Sequence, residues 1–136
     1  ANKFVAGFLG SPPMNFLDSE LIDLDGTLYA AGEGFRIAIP AEKAHALGQS
    51  DNAVTLGIRP SDLSYAPDAP PGLGLNLEVI VSEYVGAQSV LLCVCGQANV
   101  TVELKSETPI ALGETLRFAV RPEGIHLFDR KTGTAL

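Results

Sequence analysis

A mainly β fold, a barrel or sandwich of two related sub-parts with one or two short helices, is predicted by three observations. Short runs of alternating apolar and polar residues recur along the chain between Gly, Pro, Asn and Asp, the pattern of many strands joined by tight turns. One phrase occurs twice, as Gly57-Ile58-Arg59-Pro60-Ser61-Asp62-Leu63 and as Ala119-Val120-Arg121-Pro122-Glu123-Gly124-Ile125. In each copy an apolar strand pattern runs into Arg-Pro. Proline stops a ladder because it has no N–H, and its fixed φ suits the first position of a helical turn. The chain has 136 residues, 46% apolar and 18% charged, enough for a packed core without staples.

The elements follow in order. Phe4, Val5, Phe8 and Leu9 fall on one helical stripe behind Asn2, a candidate N-cap. Gly10 and Ser11-Pro12-Pro13 end that helix. Met14 to Leu17 reads as an apolar landing segment. Ser19 to Leu24 and Thr27 to Ala30 flank Asp25-Gly26, a strong hairpin turn. A strand over Phe35 to Ile39 leads through Pro40 to a short helix, Ala41 to Leu47, ended by Gly48. Val54 to Ile58 is the strand before the first Arg-Pro. The Pro/Gly-rich stretch from Tyr65 to Gly74 is a loop and a boundary between sub-parts. Leu75 to Val85, Ser89 to Val94, Asn99 to Leu104, Glu114 to Val120 and Ile125 to Phe128 complete the strands, with a turn at Gly86-Ala87. Asp129 to Leu136 reads as a polar tail. The resulting division is a helix and connector over 1–16 and a β domain over 17–136, with sub-parts of about 17–66 and 74–136.

Charge and motifs narrow the chemistry. A net charge of -7 repels phosphate backbones, and 7% aromatics offers few stacking platforms, so nucleic-acid binding by a small barrel is disfavoured. No phosphate-cradling G-x-x-x-x-G-K-[ST] motif and no G-x-S-x-G elbow occur. No catalytic, cofactor or metal residue is therefore assigned. Cys93 and Cys95 lie two apart on one strand face, where side chains run parallel and do not readily bridge. Both read as reduced, in a cytoplasmic compartment. With His45 and His126 they make a poor zinc set, because the spacing is wrong. Asp23 and Asp25 belong to the hairpin turn rather than to a calcium loop. Arg59 and Arg121 suit two roles: binding an anion at a tight turn, or locking that turn through carbonyls and carboxylates. Val90 to Val94, the longest apolar stretch, is too short to span a membrane. The chain opens Ala1-Asn2-Lys3 without Met, which reads as a fragment whose N-terminal portion is missing.

The segment from Lys3 to Leu17 resembles the one that follows the nucleotide-binding domain in ATP-binding subunits of sugar-type ABC importers, close to the maltose, trehalose and glycerol-3-phosphate importer ATPases. Leu56 to Pro60, Glu83-Tyr84-Val85-Gly86, Arg121 to Asp129 and Thr132 to Leu136 are similar to that family's C-terminal domain. The resemblance implies an OB-fold-like TOBE, or MOP-like, β-barrel or sandwich. It implies a regulatory and dimerisation domain, not itself an enzyme, whose parent couples ATP hydrolysis to sugar uptake. The implied partners are its own nucleotide-binding domain, a second ATPase subunit, a regulatory protein in some relatives, and permease subunits reached through the parent. ATP and magnesium belong to the parent, and the location is cytoplasmic, at the inner face of the membrane. Phe4, Phe8, Met14 and Phe16 are the expected interface residues. The Ser-Ala-Arg-Asn signature of molybdate-binding relatives is absent near Leu75-Asn76-Leu77-Glu78. The alternative reading is a sensor of an oxyanion or sugar, through Arg59, Arg121 and backbone N–H groups.

Overall fold

The computed structural model describes residues 13–47, 52–85, 88–104 and 112–136. The chain is mostly β and folds as two five-stranded antiparallel sheets around one core. The helix expected over Lys3 to Leu9, Gly48 and the turn at Gly86-Ala87 lie outside the described residues. The elements are β1 (Asn15–Leu24), β2 (Thr27–Gly32), β3 (Phe35–Ala38), α1 (Ala41–Leu47), β4 (Ala53–Ile58), β5 (Leu63–Tyr65), β6 (Gly74–Val85), β7 (Gln88–Cys95), β8 (Ala98–Leu104), β9 (Thr115–Val120) and β10 (Ile125–Asp129). One 3-10 turn (Pro60–Asp62) joins β4 to β5, and a second (Pro122–Gly124) joins β9 to β10.

The first sheet runs β10-β4-β1-β2-β3 and the second β5-β9-β6-β7-β8. Each Arg-Pro phrase is thus a corner at which the chain leaves one sheet for the other. The two sub-parts thereby exchange strands: β5 completes the second sheet and β10 the first. Alternation places Leu17, Leu21, Val54, Leu56, Ile58, Ile125 and Leu127 inward from the first sheet. Leu75, Leu77, Val79, Leu91, Val100, Val102, Phe118 and Val120 meet them from the second.

Local chemistry explains the joints. Asp25 and Gly26 hold φ of 53° and 85°, the two positive values that a type I′ hairpin needs. The Gly26 N–H donates to Asp23 Oδ1 at 3.1 Å. Pro40 opens α1, and Ala44 packs on the core. Two segments depart from expectation. Asn15–Leu17 is the start of β1, not a landing segment, because Asn15 gives the edge of the second sheet a substitute partner. Its Nδ2 donates to the Thr101 carbonyl at 2.8 Å, and the Thr101 N–H donates to its Oδ1 at 2.7 Å. The polar tail also folds back. Asp129 Oδ1 accepts from the N–H groups of Lys131 and Thr132, and Ala135 bridges to Phe128.

Candidate functional site

The two corners lie against each other. Across the first sheet β4 and β10 pair Ile58 with Ile125. Beyond the corners the same register resumes in the second sheet, with Leu63 opposite Val120. Between them the Arg121 N–H donates to the Asp62 carbonyl at 3.0 Å. Each turn closes its own loop as well: the N–H of Asp62 bonds the Arg59 carbonyl and that of Gly124 bonds the Arg121 carbonyl, both at 2.9 Å. The repeat found in the sequence is therefore a local pseudo-twofold junction binding the sheets.

The arginines of the two phrases do different things. Arg121 Nε donates to Glu123 Oε2 at 3.3 Å, and its Nη1 lies 3.8 Å from Asp62 Oδ1, with the guanidinium side chain 67% exposed. This bonds the second turn to itself and to the first. A bond from its own N–H, and then Arg121, hold the Glu123 carboxyl below the usual range. Arg59 is exposed, and among the described residues its guanidinium has no hydrogen-bond or carboxylate partner. Pseudo-symmetry explains the difference. Where the first phrase carries Asp62, whose carboxylate lies 3.8 Å from Arg121, the second carries Gly124 at the equivalent position, with no carboxylate to offer Arg59.

His126 sits beside this junction on the outer side of β10, opposite Gly57. Burial holds its pKa down, aided by the positive charges of Lys43 and Arg59 and opposed by Asp62. Lys43 of α1 donates its ammonium to the Ile125 carbonyl, tying the helix to β10. His45 lies in α1, and its side chain is outside the described residues.

The expected interface residues gather in part. Met14 and Phe16 lie on the outer side of the first sheet with Phe128, whose ring meets Phe16 edge-on at 5.8 Å. Gly57 is the floor: a Cβ there would stand 2.7 Å from Met14 Sδ and 2.9 Å from the Phe128 ring. Met14 and Phe128 are buried yet stand apart from the main core, while Phe16 is half-buried. Phe128 was not marked by the sequence, since its neighbours Leu127 and Ile125 carry the core alternation. Phe4 and Phe8 lie outside the described residues.

Other chemistry is limited. Cys93 and Cys95 are free and buried. Burial pushes the Cys93 thiol up to about 11, and burial with the Glu33 charge raises that of Cys95. A cleft of about 340 Å³ opens between Phe16, Asp18, Glu33, Phe35 and Gln97. Another, of about 590 Å³, is bordered by Arg36 and Arg117. Arg117 there is held by the carbonyls of Ala69 and Pro70 and by Asn76 Oδ1. Arg36 lies 5.0 Å over the Tyr29 ring. Among the described residues no helix is long and apolar enough to cross a membrane.

Comparison with known proteins matches the two halves to two family models. Residues 10–63 match the MalK OB fold domain and residues 56–128 the TOBE domain. The chain is 36% identical to an ABC transporter ATP-binding protein, y4oS, of Sinorhizobium fredii, covering all of this chain and 34% of that protein. It is 34% identical to the trehalose/maltose import ATP-binding protein MalK of Thermococcus litoralis, covering all of this chain and 38% of that one. The multiple sugar-binding transport ATP-binding protein MsmK of Streptococcus mutans is 31% identical, again over the whole chain and 37% of its own length. The chain thus spans little more than a third of these relatives. Among solved structures, the cytoplasmic molybdate-binding protein ModG shares the fold, with a TM-score of 0.61 at 12% identity, over 88% of this chain and 96% of that one.

Proposed function

Because the chain belongs to the TOBE domain family, we propose that it is the regulatory and dimerisation domain of the ATP-binding subunit of a carbohydrate ABC importer. One observation carries this reading. The two family models meet at the first Arg-Pro corner, and the pairing of β4 with β10 and β5 with β9 makes both matched halves one interlocked unit. Relatives named for sugar import contain such a unit as part of a longer ATP-binding protein. In this reading the parent couples ATP hydrolysis to sugar uptake, with ATP and magnesium bound in its nucleotide domain. The parent works at the inner face of the membrane, against permease subunits.

The surface for the second subunit is centred on half-buried Phe16, with buried Met14 and Phe128 beneath it. A half-buried aromatic over a shallow glycine floor is the kind of anchor that subunit contacts use. Sedimentation equilibrium on the full-length subunit, wild type and Phe16→Glu, tests it. Weaker association in a variant that stays folded is the expected result. Equal association in both would remove this face. A full-length subunit that neither hydrolyses ATP nor assembles with a permease would overturn the whole reading.

A second reading, as an oxyanion or sugar sensor, rests on the exposed guanidinium of Arg59, which has no hydrogen-bond or carboxylate partner among the described residues. Calorimetry with molybdate, sulfate, glycerol phosphate and maltose is the test. Heat that disappears in Arg59→Ala supports it, and silence across the panel removes it.

A further inference from the structure

The second sheet carries an irregularity that alters what it shows to solvent. β6 pairs Val79 with Cys93 and then Val81 with Leu92, leaving Ile80 without a partner on β7. This is a β-bulge, which shifts the alternation of the strand and re-aims its side chains. Val79 is fully buried. Without the extra residue Val81 would follow it inward. Instead Ile80 is 47% exposed, Val81 37% and Leu92, opposite Val81, 45%. Leu112, at 61%, precedes Gly113, whose N–H donates to the Val79 carbonyl at 2.8 Å. Four of the seven exposed large hydrophobics among the described residues therefore surround one bulge. Scattered exposed leucines need no explanation, whereas a cluster built by a bulge does.

Among the described residues, the charges on the strands around the patch have one sign. Glu78 lies on one side, opposite Val94. Glu83, opposite Val90, and Glu103, opposite the same Val90 from β8, lie on the other. Glu114 stands at the turn that bonds Val79. The strands that form this face, β6, β7 and β8, carry no lysine or arginine. Arg117 of neighbouring β9 is occupied by Ala69, Pro70 and Asn76. An isologous contact between two copies would bring glutamate against glutamate around a small apolar centre. An anionic surface is repelled for the same reason.

We infer that the bulged face of the second sheet is a docking surface for a protein segment with an apolar centre and flanking lysines or arginines. The bulge supplies the apolar anchor positions, and the glutamate rim supplies steering and register. This surface lies on the sheet opposite to that of Phe16, so it stands or falls separately from the dimer contact.

Methyl NMR on the whole chain tests it with two synthetic amphipathic peptides, both with leucines on one face. One is flanked by lysines and its twin by glutamates. The lysine peptide is expected to shift the methyls of Ile80, Val81, Leu92 and Leu112, and the glutamate twin to leave them unmoved. Leu92→Asp, at an exposed site, is expected to weaken binding about tenfold. The double variant Glu83→Lys, Glu103→Lys is expected to reverse the preference between the peptides. Lysine-peptide shifts elsewhere, or shifts undiminished by Leu92→Asp, overturn the inference. So does a dimer of the chain by sedimentation that Leu92→Asp dissolves, since the occupant would then be a second copy.

Discussion

Asp62 and Gly124 hold equivalent places in the two Arg-Pro turns, and the side chain of the first fills the space that the second leaves open. A Cβ at position 124 would lie 2.5 Å from Asp62 Cγ and Oδ2 and 2.8 Å from its Cβ. The repeat is therefore asymmetric by necessity, since close docking of the corners admits one side chain where symmetry would place two.

Gly124→Ala is expected to cost about 1–3 kcal/mol, as overpacking does at a site that cannot shift freely. Denaturant unfolding measures it. In an Asp62→Gly background the same substitution should cost less, by at least about 0.5 kcal/mol, the mark of two coupled neighbours. Equal costs in both backgrounds would show that the contact does not limit the corner. Arg121→Ala should change the urea midpoint little, because the guanidinium and its Glu123 partner are both exposed.

The pH dependence runs through His126. Burial, with Lys43 and Arg59, lowers its folded pKa from the ordinary 6.5. The unfolded chain then takes up a proton at a higher pH than the folded one. The stability that His126 leaves intact above about pH 6.5 is lost as pH falls through the lowered folded value. Urea midpoints should fall more steeply in this window for the wild type than for His126→Gln. Parallel falls would assign the acid sensitivity to other groups.

Asn15 should be costly to remove. Its buried amide both donates to and accepts from the Thr101 backbone. Asn15→Ala leaves the half-buried N–H and C=O of Thr101 without this partner, at about 1 kcal/mol or somewhat more. Hydrogen exchange at the Thr101 amide should quicken in the variant; an unchanged rate would show that another group pairs that edge.

The thiols should be inert in the folded chain. Cys93, with its pKa near 11, and Cys95, raised in the same direction, present little thiolate at neutral pH. Labelling with an aromatic disulfide should be slow in buffer and rapid in denaturant. Fast native labelling would show that the core opens locally at β7.

What the sequence disclosed follows the range of the forces involved. Asp25-Gly26, Pro40 before α1 and the alternation along β6, β7 and β8 act within a few residues, and they read directly. The Arg-Pro turns were visible as a repeat. Their mutual docking was not, because it depends on which strands pair across a long stretch of chain. The Val79-Ile80-Val81 run looks like ordinary strand, so the bulge has no local signature. Asn15 resembles a polar interruption until its partner on β8 is seen. Of the expected interface, Met14 and Phe16 come together with a third residue, Phe128, supplied by the last strand.

That last strand sets a timetable. β4 needs β10 on its outer edge, and β10 leaves the ribosome after all of β1 to β9. Until Ile125–Asp129 emerges, the first sheet is unfinished, with an open edge at Val54–Ile58 that invites pairing with other chains. The pairing of β4 with β10 joins segments far apart in the chain, so the first sheet closes late in folding. A chain that stops short of β10 keeps that edge of β4 open, a template for pairing with other chains.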